Sequence, residues 1–391
     1  MHLSGVARRV LTPSPSGRGR GEGASEFVAA CFSITLTLAL CCRTFLSGPL
    51  RASVARPNSF PTNLSLRERG RSPLVWLASL MLCSPAHAEW VSRIDDGIMG
   101  TRMTVEVWTE TPAQGNQAID AVLAEMTRLD EAMSTYKPTS EVSRVNAEAA
   151  QHPVKISKEL FDLLARAVEF SRITQGAFDI TYASVGFMYD FRERERPTEQ
   201  QIKAALPAVN YRHLLLDAKT QTIRFMQPGV RIDLGGIAKG YAVDRGIAIL
   251  QARGISHALV SAGGDSRIIG DRFGKPWVIG IRHPDDHDKV IAKIPLTDAA
   301  LSTSGDYERF FDEGGQRYHH IIDPKTGKSA SKVRSATIIA PTALQTDGLS
   351  KTAFVLGPDE AMKIYNQLKD VDVILVSLDG KVLYSNGLAP P

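Results

Sequence analysis

The chain has 391 residues, 43% hydrophobic and 23% charged, the composition of an ordinary soluble globular protein with room for one large core or two domains. Its net charge of +4 is unevenly placed: residues 1–88 hold ten Arg, no Lys and three acidic residues, a balance of +7, so the remainder stands at −3. A slightly acidic body argues against nucleic acid as a partner.

Residues 1–88 do not read as a folded domain. The stretch 12–23, T-P-S-P-S-G-R-G-R-G-E-G, is low-complexity and cannot build a core. An apolar run at 27–42 is short for a membrane span. Arg67, Arg69 and Arg71 precede a second apolar run at 73–83, which ends in S-P-A-H-A at Ala88. A basic region, an apolar region and an A-x-A site read as a secretory signal cut after Ala88. Such a signal begins at the N-terminus, and this one begins about 65 residues in, which implies a start codon assigned too early. The alternative is a real membrane segment at 27–42. All four cysteines (Cys31, Cys41, Cys42 and Cys83) lie in this leader, so the body has no disulfide and no cysteine metal site. Leu40 and Leu82 precede Cys41 and Cys83, where a lipid-modified cysteine needs a small residue. The expectation is an exported, periplasmic body, with association to the inner membrane left open.

Residues 89–391 make up one body with no long linker and no internal repeat. Residues 100–109 alternate as a strand does. Residues 116–133 carry helical apolar spacing at Ile119, Val122, Leu123, Met126 and Leu129. A polar loop over 134–146 leads into a short helical turn. Residues 157–174 read as a helix capped by Ser157, with Leu160, Phe161, Leu164 and Val168 on one face. Residues 230–233 read as a short strand, followed by a tight turn at Gly235-Gly236 and a helix from near Ile237 that Gly254 ends. Strands are expected over 258–260, 267–270 and 277–282. Residues 307–311 and 317–322 flank D-E-G-G-Q, a hairpin signal. A strand at 336–340 precedes a helix over 342–355, and another helix covers 359–368. Residues 371–376 and 381–384 flank Asp379-Gly380, a closing hairpin. Strands and helices mixed without strict βαβ alternation predict an α+β fold with largely antiparallel sheets flanked by helices.

The stretch 230–245, V-R-I-D-L-G-G-I-A-K-G-Y-A-V-D-R, is the first candidate for chemistry. Two adjacent glycines let the backbone approach a bulky ligand. The helix that follows aims its N–H groups and positive dipole end at the turn, which suits a phosphate, and Lys239 in the first turn can reach the same anion. Asp233 can accept from a ligand hydroxyl or amide. Taken alone, the same residues also describe an ordinary βα turn. The stretches G-A-F-D-I-T from Gly176, S-A-G-G-D from Ser261 and S-T-S-G-D-Y from Ser302 each read as a polar turn. Two histidines, His319 and His320, lie on a strand and so face opposite sides. T-D-G-L-S from Thr346 offers a carboxylate and a hydroxyl, hard ligands suited to Mg²⁺ or, equally, a capped helix start.

In order along roughly 260 residues, these motifs resemble the ApbE family of FAD:protein FMN transferases. The resemblance takes in M-G-T at Met99, M-S-T-Y at Met133, S-E-V-S at Ser140 and G-A-F-D at Gly176. It continues through D-L-G-G-I-A-K-G-Y-A at Asp233, A-G-G-D at Ala262, S-G-D-Y at Ser304, H-H-I-I-D-P at His319 and D-G-L-S at Asp347. It implies that Met99, Tyr136, Ala177, Phe178, Asp179, Asp233, Lys239 and Ile321 contact FAD. It implies Mg²⁺ held by Asp347 and the Gly236 carbonyl, with Ser350 and Lys351 beside it. His320 is assigned as the general base. The implied reaction attacks the FAD pyrophosphate with a Thr or Ser hydroxyl of an exported or membrane-bound target protein, so that FMN becomes phosphoester-linked and AMP leaves. A base activates the poor hydroxyl nucleophile, and a cation takes up the developing phosphate charge.

Two departures from the family pattern stand out. Y-A-S-V-G from Tyr182 replaces a Gly-Pro-Leu run, and Lys351 stands where the family places a metal-binding Thr four residues after the Asp. A charged ammonium has no lone pair for Mg²⁺. Lys351 either swings away, leaving Asp347, the Gly236 carbonyl, Ser350, phosphate oxygens and water as the shell, or takes the metal's place and pairs with Asp347. The first is expected, because one monovalent charge is a poor substitute for Mg²⁺. Two further readings share the same binding residues: a metal-dependent FAD pyrophosphatase, and a non-catalytic FAD-binding protein.

Overall fold

The structure is a computed structural model, and it describes residues 88–284, 286 and 288–388. The leader's apolar runs, its cysteines and its signal sequence up to His87 therefore lie outside the described residues.

The body opens with β1 (Glu89–Asp95) and β2 (Met103–Thr109), then the long helix α1 (Pro112–Met133) and the short α2 (Glu141–Glu148). Next come β3 (Val154–Lys155), α3 (Lys158–Ile173), α4 (Ala183–Gly186), α5 (Glu199–Ala205), β4 (Leu214–Asp217) and β5 (Thr222–Phe225). Helix α6 (Ala238–Ala252) leads to β6 (Ala258–Ala262), β7 (Asp265–Ile269), β8 (Trp277–Arg282), β9 (Val290–Leu296) and β10 (Ala300–Gly305). A hairpin of β11 (Phe310–Glu313) and β12 (Gln316–His319) precedes β13 (Val333–Ala340) and α7 (Ala343–Leu349). The described chain closes with α8 (Thr352–Leu356), α9 (Pro358–Tyr365), β14 (Asp372–Ser377) and β15 (Val382–Tyr384).

Eight strands form one sheet in the order β1-β2-β6-β7-β10-β13-β14-β15, every neighbour antiparallel. The period of two decides which face each residue covers. Met103, Val105 and Val107 of β2, Ala258 and Val260 of β6, and Ala336, Ile338 and Ala340 of β13 belong to one core. Helices α1, α3, α6 and α7 supply its other side through Ile119, Met126, Leu164, Phe170, Val243, Ile247 and Leu349. The intervening Ile268, Leu301, Ile339 and Ile374 face away from it and pack on Trp277, Ile281 and Ile294 of the β8–β9 hairpin. The α+β expectation therefore holds. Among the described residues, no helix is long and apolar enough to cross a membrane.

Three local expectations need correction. Residues 230–233 form no strand: Ser184, Asn146 and the Ile180 carbonyl serve their backbone instead. Arg231 N–H donates to Ser184 Oγ (3.0 Å), Ile232 N–H to Asn146 Oδ1 (2.8 Å) and Asp233 N–H to Ile180 O (3.0 Å). The polar stretch from Ser302 is strand β10 as far as Gly305, inside the sheet. Its hydroxyls are matched there: Ser302 with Thr346 (2.6 Å), Thr303 with Thr337 (2.9 Å) and Ser304 with Ser350 (2.9 Å). The helix expected over 342–355 breaks at Ser350 and Lys351. The Asp347 carbonyl accepts from Ser350 Oγ (2.9 Å) and Lys351 Nζ (3.0 Å), which draws the last turn of α7 tight.

Candidate functional site

The site is built where α6 meets α7. Asp233 organises the turn that enters α6. Its Oδ1 accepts from Gly235 N–H (2.7 Å) and Tyr182 OH (3.1 Å), and its Oδ2 accepts from Thr135 Oγ1 (2.8 Å). One carboxylate thus joins the loop after α1, the turn before α4 and the glycine turn. The helix start does not offer the row of free amides expected from sequence. Ile237 and Ala238 N–H both donate to Leu234 O (2.9 and 2.7 Å), and Gly240 N–H donates to Asp347 Oδ2 (3.0 Å). A carboxylate of the protein's own has taken the helix dipole's anion position.

Gly240 makes that contact attainable. A Cβ there would lie 2.2 Å from the Ala343 carbonyl oxygen, so only glycine lets α6 and α7 approach this closely. Asp347 is fully buried between two ammoniums. Lys239 Nζ stands 3.7 Å from Asp347 Oδ2 and 2.7 Å from Asp265 Oδ2 at the start of β7. Lys351 Nζ pairs with Asp347 Oδ1 and donates to the carbonyls of Asp347 (3.0 Å) and Gly236 (3.2 Å). Burial pushes the Asp347 carboxyl up, but Lys239, Lys351 and the Gly240 N–H outweigh it and hold the group below its usual value. Burial pulls Lys239 down, yet Asp265 and Asp347 more than reverse this, and it stays charged.

These contacts bear directly on the metal assignment. Lys351 does not swing away; its ammonium sits among the oxygens assigned to Mg²⁺, namely those of Gly236 and Asp347. Ser350 is not a free ligand either: its hydroxyl donates to the Asp347 carbonyl and accepts from Ser304. Among the described residues no group of three or more His, Cys, Asp and Glu side chains stands together to hold a metal. These oxygens are hard donors of the kind Mg²⁺ takes, and in this structure the Lys351 ammonium occupies them.

His320 follows the end of β12. Its N–H donates to the Arg309 carbonyl (3.1 Å), and its Nδ1 is buried without a partner, which leaves Nε2 as the nitrogen open to a reactant. Burial, then the charges of Arg309, Lys351 and Lys239 along with the neighbouring His319, push its pKa down to about 3. His319 turns into the protein, where Nδ1 accepts from Ile321 N–H (3.4 Å) and burial pushes it down to about 4. The strand expected through both histidines ends at His319, so strand alternation does not place the His320 ring.

The other assigned residues divide by role. Tyr136 is 93% exposed on the loop after α1, with its ring free to stack on a flat ligand. Met99 sits at φ 53° in the turn between β1 and β2. Ala177, Phe178 and Ile321 are buried, and Phe178 stands edge-on to Phe170 (6.2 Å between centroids) behind Gly236. Asp179 is spent internally. Oδ1 accepts from Thr181 N–H (2.8 Å) and Oγ1 (2.6 Å), and Oδ2 from Tyr211 N–H (2.7 Å), so its carboxylate braces the loop. Two residues at the site had no role in the sequence reading: Asp265, quoted there only as the last letter of A-G-G-D, and Arg309, just beyond S-G-D-Y. The Arg309 guanidinium donates to the Gly100 carbonyl (3.2 Å) and pairs with no carboxylate among the described residues.

The sequence profile of the ApbE family matches residues 99–375. The chain belongs to the ApbE family. The FAD:protein FMN transferase of Treponema pallidum is 31% identical over 310 residues, covering 74% of this chain and 86% of that protein. The FAD:protein FMN transferase of Haemophilus influenzae is 34% identical over 285 residues, covering 70% and 79%. Among solved structures, the ApbE protein of Thermotoga maritima superposes with a TM-score of 0.71 at 35% identity, covering 76% of this chain and 97% of its own. The flavin transferase ApbE of Vibrio cholerae gives 0.69 at 29% identity, covering 77% and 98%.

Proposed function

We propose that this chain transfers FMN from FAD to a Thr or Ser hydroxyl of a target protein, forming a phosphoester and releasing AMP. Membership in the ApbE family supports the reading, together with the Treponema and Haemophilus relatives, each an FAD:protein FMN transferase by name. The observation that carries it within this chain is a neutral His320 faced by Lys239, Lys351 and Arg309. That is a base set among cations, the pairing a hydroxyl attack on a pyrophosphate requires.

In this reading Tyr136 stacks on the flavin ring, and Lys239 and Arg309 hold the phosphates. His320 Nε2 takes the proton as the target oxygen bonds to the FMN phosphorus. The phosphorus–oxygen bond to AMP breaks, and AMP leaves with the electron pair. The resemblance also implies Mg²⁺, but Lys351 holds the oxygens that ion would use.

Water can replace the target hydroxyl, and the assay separates the outcomes. Full-length protein is incubated with FAD and a candidate exported redox protein, then run on a denaturing gel. A flavin-fluorescent band and one AMP per flavin support transfer, whereas free FMN with AMP marks a pyrophosphatase and intact FAD a binding protein. The leader adds a second part to the proposal: the body is exported, cut after Ala88, and meets an exported or membrane-bound target.

A further inference from the structure

Lys351 carries chemistry beyond this reading. An ammonium has three N–H donors and no acceptor. Lys351 has three oxygens around its Nζ: Gly236 O at 3.2 Å, Asp347 O at 3.0 Å and Asp347 Oδ1. Donors and acceptors match in number. The acceptors are also held in place independently of the lysine. Asp347 Oδ2 is tied to Gly240 N–H, its carbonyl is fixed by Ser350 Oγ, and the Gly236 carbonyl belongs to the turn that Asp233 braces. Asp347 and Lys351 are four positions apart, so both project from one face across the break between α7 and α8.

A Mg²⁺ ion bonds oxygen at about 2.0–2.1 Å and would need these same oxygens. It would occupy the space of the ammonium, and the two cations would repel. Lys351 could leave only by taking from the buried Asp347 carboxylate the closer of its two ammonium partners. Its one charge is half that of Mg²⁺, and the Arg309 guanidinium, whose charge also acts on His320 and which has no carboxylate partner among the described residues, supplies a second.

We propose that the Lys351 ammonium is the resident cation of this site, standing where a divalent ion would bind, and that the chain binds FAD without a divalent metal. The inference rests on the flavin reading above and departs from the metal dependence which the family resemblance implies.

The test uses the full-length protein, dialysed against EDTA, with FAD affinity read by calorimetry and Mn²⁺ binding read by electron paramagnetic resonance in the presence of FAD. Wild type is expected to bind FAD equally in EDTA and in Mg²⁺ and to take up no Mn²⁺ beyond that held by free FAD. Lys351→Thr is expected to lose about tenfold or more in FAD affinity in EDTA, the worth of one charge-assisted contact, and to regain it with Mg²⁺ while binding one Mn²⁺. Loss of wild-type FAD affinity in EDTA with recovery in Mg²⁺, or one Mn²⁺ per wild-type chain that Asp347→Asn removes, overturns the inference. The wild-type arms decide this even where the variant fails to fold. No FAD binding under either condition overturns the flavin reading itself, and this inference with it.

Discussion

Acidification from pH 6.5 to 5 tests the electrostatics of the site without any ligand. His319 and His320 are pushed down, chiefly by burial, to about 4 and about 3 in the folded protein. Unfolded imidazoles have a pKa of about 6.5. Between these values the unfolded chain binds more protons than the native one, so stability rises with pH and is lost on acidification. The contribution is whole above pH 6.5 and drains away towards the folded pKa values. From pH 6.5 to 5 each unfolded imidazole goes from about half to almost fully protonated while its folded counterpart stays neutral, at a cost of about 1.6 kcal/mol each and about 3 kcal/mol for the pair. Carboxylates with ordinary values titrate mainly below this window. Urea unfolding followed by circular dichroism at half-unit steps of pH measures the loss. In His320→Gln the pH-dependent loss is expected to fall by about half, because one of two equal terms is gone. A flat wild-type profile, or an unchanged slope in His320→Gln, would refute the claim that the two rings are held neutral. The same depressed pKa makes His320 a weak base in the free protein. Phosphate charge beside it raises the value, so base strength arrives with the substrate.

His320→Ala is expected to keep FAD affinity by calorimetry and to lose transfer; the same split in His319→Ala alone would reverse the assignment of the base. Gly240→Ala places a Cβ 2.2 Å from the Ala343 carbonyl and is expected to cost about 2–4 kcal/mol in urea unfolding, from overpacking and strain on the Asp347 contact. An unchanged midpoint would mean that α6 and α7 are not so tightly apposed. Arg309→Gln is expected to weaken FAD binding about tenfold and to reduce its salt dependence, since one unpaired cation is removed. N-terminal sequencing of the protein recovered from the periplasmic fraction is expected to begin at Glu89, and an intact leader there would contradict the signal reading.

Local pattern determined much about this protein. The period-two run of β2, the Ser157 cap of α3 and the double glycine of the β11–β12 hairpin were legible because each depends on neighbours within a few residues. Motif order alone reached the ApbE family and brought Asp233, Lys239, His320 and Asp347 to one place. Three features depended on contacts between distant segments. Ser302 to Ser304 look like a turn until Thr346, Thr337 and Ser350 arrive to satisfy their hydroxyls inside the sheet. Asp179 looks like a ligand until Tyr211, 32 residues later, claims it. Lys351 and Asp347 could have faced each other or a metal; the Gly236 carbonyl, 115 residues earlier in the chain, completes a three-oxygen nest that matches an ammonium. Hydrogen-bond capacity is a property of the residue and can be read in sequence, whereas how it is spent depends on which partner the fold delivers.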